Sequence, residues 1–261
     1  MRKLLLYIIP LIFFVGFTSK DSYRVIKQNS FGKGEHIEYL VHYAFVNAGE
    51  ATIDVSEKLY LVNDRPCYRV DVYGKSIGSL EMVTRIRDFW RSYVDTSSII
   101  THRFYRNIEE GNYRKEETTQ FFPNTRKAVI MDEHGKKEIT TYPNIQDMVS
   151  GFYFVRTLNM EKYQKGEVIN VPGILEDDLY ELKIQFIGKE EIKTKFGKID
   201  TYVLSPIMPE NQLFKGTNPI KVYVSDDKNR VPVKILAELV VGSVEMDIKG
   251  YSNLKHDIKF K

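Results

Sequence analysis

The chain of 261 residues has one cysteine, one tryptophan and five histidines. A single cysteine excludes an internal disulfide, so burial alone must hold the fold together. Cys67 follows Pro66 at a strand start, has no evident histidine partner and reads as a buried or semi-buried structural thiol. His36, His42, His102, His134 and His256 include no pair at helical i, i+4 spacing and no neighbouring cysteine cluster, so a local metal motif is absent. His42 alternates with apolar residues and is expected to be a strand histidine satisfied by hydrogen bonds. Ser79 in "SIGSLE" and Ser150 in "MVSGFY" lack the Gly-x-Ser-x-Gly elbow, and "FGKGEH" and "FKGTNP" match no phosphate-cradling loop. No catalytic residue, metal or cofactor is expected.

Charge of one sign is scarce as well. The formal net charge of +3 falls to about +1 when Arg2 and Lys3 are subtracted, and the charges interleave by sign, as in "RKEETT" and "GKEEIKTK". That leaves no field to hold nucleic acid. The same runs carry charge too densely for the lipid-facing strands of a membrane barrel.

The long apolar run is "LLLYIIPLIFFVGF", Leu4 to Phe17. Its 14 residues fall short of the roughly 20 that a spanning helix needs. Arg2 and Lys3 precede it and Thr18 and Ser19 follow, so residues 1–19 read as a cleavable signal peptide. The mature chain is then expected to be periplasmic or secreted, with no spanning segment. Cys67 is too far from the run to be a lipid-anchored N-terminal cysteine. Residues 20–261 are expected to form one β-rich domain, with 20–33 as a flexible lead-in.

Alternation with a period of two dominates the rest of the chain. "HIEYLVHYAF" places Tyr39, Val41, Tyr43 and Phe45 on one face, and "NAG" with Gly49 is expected to turn the chain into "EATIDVSEKLYLV". Further runs such as "CYRVDVYG", "RDFWRSYVD" and "LYELKIQFIG" are separated by turn residues. So many short-linked strands imply a mainly β protein: an antiparallel curved sheet forming a barrel or half-barrel, with a sandwich as the alternative.

One segment breaks the period. In "PNIQDMVSGFYFVRTLNMEKYQKG", Ile145, Met148, Val149, Phe152, Val155 and Leu158 recur at helical spacing, which predicts an amphipathic helix of about four turns. Asn144 is the expected N-cap, Asp147 belongs to the first turn, and Gly166 lies just beyond the end. A lone amphipathic helix among strands must bury its stripe on the sheet, as a plug or lid. Met148, Phe152 and Val155 are its candidate cavity residues.

Among the acidic doublets, adjacent strand residues point to opposite faces, so both carboxylates meet only in a turn. Asp226-Asp227 and Asp177-Asp178 survive that test. In "KVYVSDDKNRVPVKI" the aspartates are favoured as the bend of a hairpin, and Pro232 marks an edge strand or a strand start.

Three stretches, "GEHIEYLVHYAFVNAGEATI", "GFYFVRTL" and "VYVSDDKNRVPVKI", together resemble the exported bacterial family catalogued as domain of unknown function 3108. The resemblance implies a secreted or periplasmic, mostly antiparallel β protein without an assigned reaction. It points to Gly34, Glu35, Tyr39, Gly49, Arg156, Asp226 and Pro232 as the matching positions, with structural roles. The 17 tyrosines and 15 phenylalanines, with one helix as lid, lead to the expectation of a non-catalytic module for an apolar or lipid-like ligand. The alternative is an envelope protein that docks a protein partner through a strand edge or the loop 206–219; a hydrolase ranks below both.

Overall fold

The computed structural model describes residues 23–175, 178–207, 214 and 218–261. The expected signal peptide, Asp177 and most of the loop 206–219 lie outside the described residues.

The first half of the chain is a meander: β1 (His36–Tyr43), β2 (Val46–Val62), β3 (Arg65–Ser76), a six-residue helix α1 (Gly78–Val83), β4 (Arg87–Asp95), β5 (Thr101–Glu110), β6 (Tyr113–Phe122), β7 (Lys127–Asp132) and β8 (Gly135–Thr140). Helix α2 (Met148–Arg156) follows. A second meander then runs through β9 (Val168–Leu175), β10 (Asp178–Thr194), β11 (Gly197–Pro206), β12 (Ile220–Ser225), β13 (Pro232–Glu238) and β14 (Ser243–Ser252). The two meanders join where β1 pairs with β14, giving one antiparallel sheet of 14 strands with β8 and β9 at its edges. The sheet is curved and does not close, and the connection bearing α2 carries the chain from one open edge to the other. Bulges at Glu38/Tyr39, Tyr93/Val94, Phe186/Gly188 and Tyr223/Val224 add local twist and bend, which curls so wide a sheet around its contents.

Those contents form two apolar clusters. The larger draws Ile37, Val70, Phe104 and Phe121 from the first meander, Val149 and Tyr153 from α2, and Val203 and Val233 from the second. The smaller gathers Met160, Val171, Phe186 and Leu204.

Three local expectations are corrected. The β1–β2 turn falls at Ala44 and Phe45 rather than at "NAG", with Ala44 at φ 51°. Gly49 lies within β2, and its lack of a side chain serves a close approach instead: a Cβ there would stand 2.9 Å from the Lys75 carbonyl oxygen. Helix α2 is also shorter than expected and is capped by Asp147, not Asn144. Asp147 Oδ1 accepts from the Val149 and Ser150 amides while Ser150 Oγ accepts from the Asp147 amide, a reciprocal cap that fixes the start. Asn144 has φ 57°, and Gln146 is extended, its amide donating to Pro172 O and its carbonyl accepting from Ile174 N on β9. That pairing keeps residues before 147 out of the helix. Gly166 belongs to a later turn, where its amide donates to Phe186 O. The lead-in expected to be flexible is packed over residues 23–33: Arg24 donates to the carbonyls of Ser98 and Ile99, and Phe31 is 1% exposed in the core. Pro232 takes the second of its two expected places, a strand start: it is the first residue of β13, which lies inside the sheet.

Candidate functional site

The side of α2 that faces the larger cluster carries a charge. Arg156 is fully buried, and its guanidinium meets the equally buried Glu35 in a bidentate pair, Nη1 to Oε1 at 2.5 Å and Nη2 to Oε2 at 2.8 Å. Nη2 also donates to Ser30 O at 3.0 Å and to Asn229 O at 3.1 Å, and Nε donates to Asn229 O. Tyr153, one turn earlier, donates its hydroxyl to Glu35 Oε1 at 3.0 Å. Tyr39 donates to Pro232 O at 2.9 Å. Burial opposes the charge on Arg156, but the Glu35 carboxylate outweighs it and holds the guanidinium above its ordinary value. The Tyr153 hydroxyl is pushed well up, first by burial and then by the Glu35 charge. Every charged partner is thus satisfied without water, which makes the cluster a strut and leaves no group free for acid/base chemistry.

The strut ties four segments together: the lead-in at Ser30, the start of β1 at Glu35, α2 at Arg156 and the β12–β13 turn at Asn229. Gly34, at φ 78°, turns the chain into β1. Of the seven positions drawn from the resemblance, Gly34, Glu35, Tyr39, Arg156 and Pro232 belong to this one neighbourhood. Gly49 lies away from it in β2, and Asp226 is on the strand-end side of the turn, accepting from Lys189 Nζ at 2.7 Å.

Asp226 and Asp227 do different work. Asp227 Oδ1 accepts from Ser225 Oγ and from the Asn229 and Arg230 amides, which closes the turn on itself and lets Arg230 take φ 50°. Asp226 is engaged by Lys189 and Asp227 Oδ1 by the turn, while Asp227 Oδ2 is buried without a hydrogen-bond partner among the described residues.

The opposite side of α2 covers a cavity of about 310 Å³ between the helix and strands β9 to β13. Met148, Phe152 and Val155 form its helical wall, and Val171, Leu204 and Ile235 are among the sheet residues facing them. Met148 is half exposed at the rim. The lining is apolar except around Gln146, Asp147 and Tyr180. Burial pushes the Asp147 carboxyl up, against hydrogen bonds from the Ser92 and Thr101 hydroxyls and the Ser150 and Val149 amides.

Elsewhere, Cys67 is fully buried, and burial, with the Asp95 charge beside it, pushes its thiol up to about 12, far from a reactive thiolate. His42 is half-buried, with Nε2 3.7 Å from Asp247. No cluster of metal-ligating side chains occurs among the described residues, and no described helix is long and apolar enough to cross a membrane.

Asp95 anchors the β4–β5 turn. Burial works against its charge, but hydrogen bonds from His102, Arg65 and the Ser98 and Ser97 amides prevail and hold its carboxyl well below the usual range. A carboxyl depressed in the folded state adds stability above its unfolded value, about 4, and that contribution is lost as pH falls through and below it. The wild type is therefore expected to lose more stability than Asp95→Asn between pH 7 and pH 3 in urea unfolding. A gap between the two proteins that stays constant with pH contradicts this role.

Arg156 and Glu35 were reached through the resemblance: "FVRTL" does set Arg156 alone among apolar residues, but Glu35 sits in the mixed-charge run "KGEHIE" and has no such mark. Tyr153 and Gln146 have none either, because neither fits the apolar stripe.

A family model described as "Protein of unknown function (DUF3108)" matches residues 38–249, a span that takes in Tyr39, Gly49, Arg156, Asp226 and Pro232 and begins just after Glu35. No curated protein matches the chain. Among solved structures, it is similar to a beta-barrel-like protein of domain of unknown function DUF1849 from Brucella abortus, at 7% identity and a TM-score of 0.52, over 90% of this chain and 100% of that one. At such identity the likeness is one of fold.

Proposed function

The chain belongs to the DUF3108 family of proteins of unknown function, and we propose that it is an exported, non-catalytic binding module whose cavity takes an apolar or lipid-like ligand. The observation that carries this is the apolar cavity of about 310 Å³ under α2, within the size range of small-ligand sites and lined by few, convergent polar groups. The buried Arg156–Glu35 strut supports it by holding the helix in place from the side away from the cavity. Export is supported by the apolar run Leu4 to Phe17 behind Arg2 and Lys3. Native mass spectrometry of gently purified mature protein tests the reading through the mass of any retained ligand.

A second reading, docking of an envelope protein, has its own observation. Phe45 and Val46 at the β1–β2 turn, Val240 and Val241 at the β13–β14 turn and Met82 and Val83 on α1 are all exposed, and Tyr43 hydrogen-bonds Val241 O across the two turns. Cross-linking in cells that recovers monomer alone contradicts it.

A further inference from the structure

The polar end of the cavity is asymmetric in a way that bears on ligand choice. Gln146 is 2% exposed and lines the cavity. Its Nε2 donates to Ile99 O at 2.7 Å, which fixes the amide orientation and leaves Oε1 as the other end. Oε1 is buried without a hydrogen-bond partner among the described residues, an arrangement that is costly unless something supplies a donor. On the sheet side, Gly173 is bridged to Gln146 and paired with Tyr180. A Cβ on Gly173 would stand 2.6 Å from the Tyr180 ring, so glycine is required for Tyr180 to lie there and bring its hydroxyl to the same end.

No lysine, arginine or histidine is among the described lining residues. The neighbouring charge is the buried Asp147, whose Oδ1 is taken by the α2 cap and whose Oδ2 accepts from Ser92 Oγ at 2.6 Å. A carboxylate ligand would therefore enter with no counter-charge, beside another carboxyl, and bring Gln146 Oε1 no hydrogen. A hydroxyl brings that hydrogen and can accept one from Tyr180.

Building on the proposed apolar cavity, we propose that its polar end selects an amphiphile with a neutral hydroxyl head, such as a long-chain alcohol or a monoacylglycerol, with Gln146 as the acceptor that recognises it. Three ligands of one chain length separate the contributions: decanol, decyl methyl ether and decanoate, each displacing the fluorescent apolar probe N-phenylnaphthylamine from the full mature chain at about pH 8. Decanol is expected to displace the probe at about tenfold lower concentration than either of the others, a difference of about 1.4 kcal/mol. Gln146→Met is expected to bring the alcohol and the ether together. Should Gln146→Met not fold, the three-ligand comparison on the wild type decides alone. Equal displacement by all three, with the probe bound, overturns the hydroxyl selection and leaves the apolar cavity standing. Failure of the probe itself to bind overturns the cavity reading and the selection with it.

Discussion

Arg156→Met costs the protein about 3–5 kcal/mol in denaturant unfolding, the penalty for leaving a fully buried carboxylate without its partner. Glu35 then keeps only the Tyr153 hydroxyl, and the carbonyls of Ser30 and Asn229 lose their donors as well. Glu35→Gln is expected to cost a comparable amount, because it strands the guanidinium instead. The double variant Glu35→Leu with Arg156→Met recovers much of the loss, since an apolar pair of similar volume removes both charges from the interior. The recovery is partial, because Tyr153, Ser30 and Asn229 remain without partners. A cost of less than about 1 kcal/mol for each single change, the range of exposed ion pairs, contradicts the strut.

Val155→Trp blocks the cavity and removes binding of N-phenylnaphthylamine by at least about tenfold, with little change in the unfolding midpoint. Val155 is a partly buried residue on the helical wall, so an indole there occupies existing space of about 310 Å³ instead of forcing apart a filled core. The separation of the two effects is the informative point. Arg156 acts on the position of the helix and is read in stability, whereas Val155 acts on the space beneath and is read in occupancy. Unchanged probe binding by Val155→Trp places the probe elsewhere, on the exposed apolar turns around Phe45 and Val241, for example.

Period-two alternation made the antiparallel sheet legible, because each strand keeps one face toward the enclosed clusters. The pairing of β1 with β14 was not, since nothing local encodes a contact between residues more than two hundred positions apart, such as His36 and Ser252. The helix was visible from its apolar stripe, but its start was misplaced by the pairing of Gln146 with β9, a tertiary contact that overrides capping preference. Met148, Phe152 and Val155 were legible as cavity residues because they fall on one helical face, and all three line the space found there. The polar partners escaped for the opposite reason. Gln146 and Tyr180 take meaning from Gly173 between them, which requires the register of β9 against β10. Arg156 and Glu35 came forward with the resemblance, yet their pairing spans 121 residues and is closed by the connection bearing α2 that runs from one sheet edge to the other.

The central claim is that a helix pinned from one side by a buried ion pair encloses a ligand on the other. Native mass spectrometry of the protein, purified gently from its native cells without lipid-stripping detergent, tests it most directly. The expected spectrum shows a fraction of the protein carrying one additional small apolar molecule, absent from Val155→Trp prepared in the same way. A single unliganded mass for both proteins, together with no uptake of added N-phenylnaphthylamine, contradicts it.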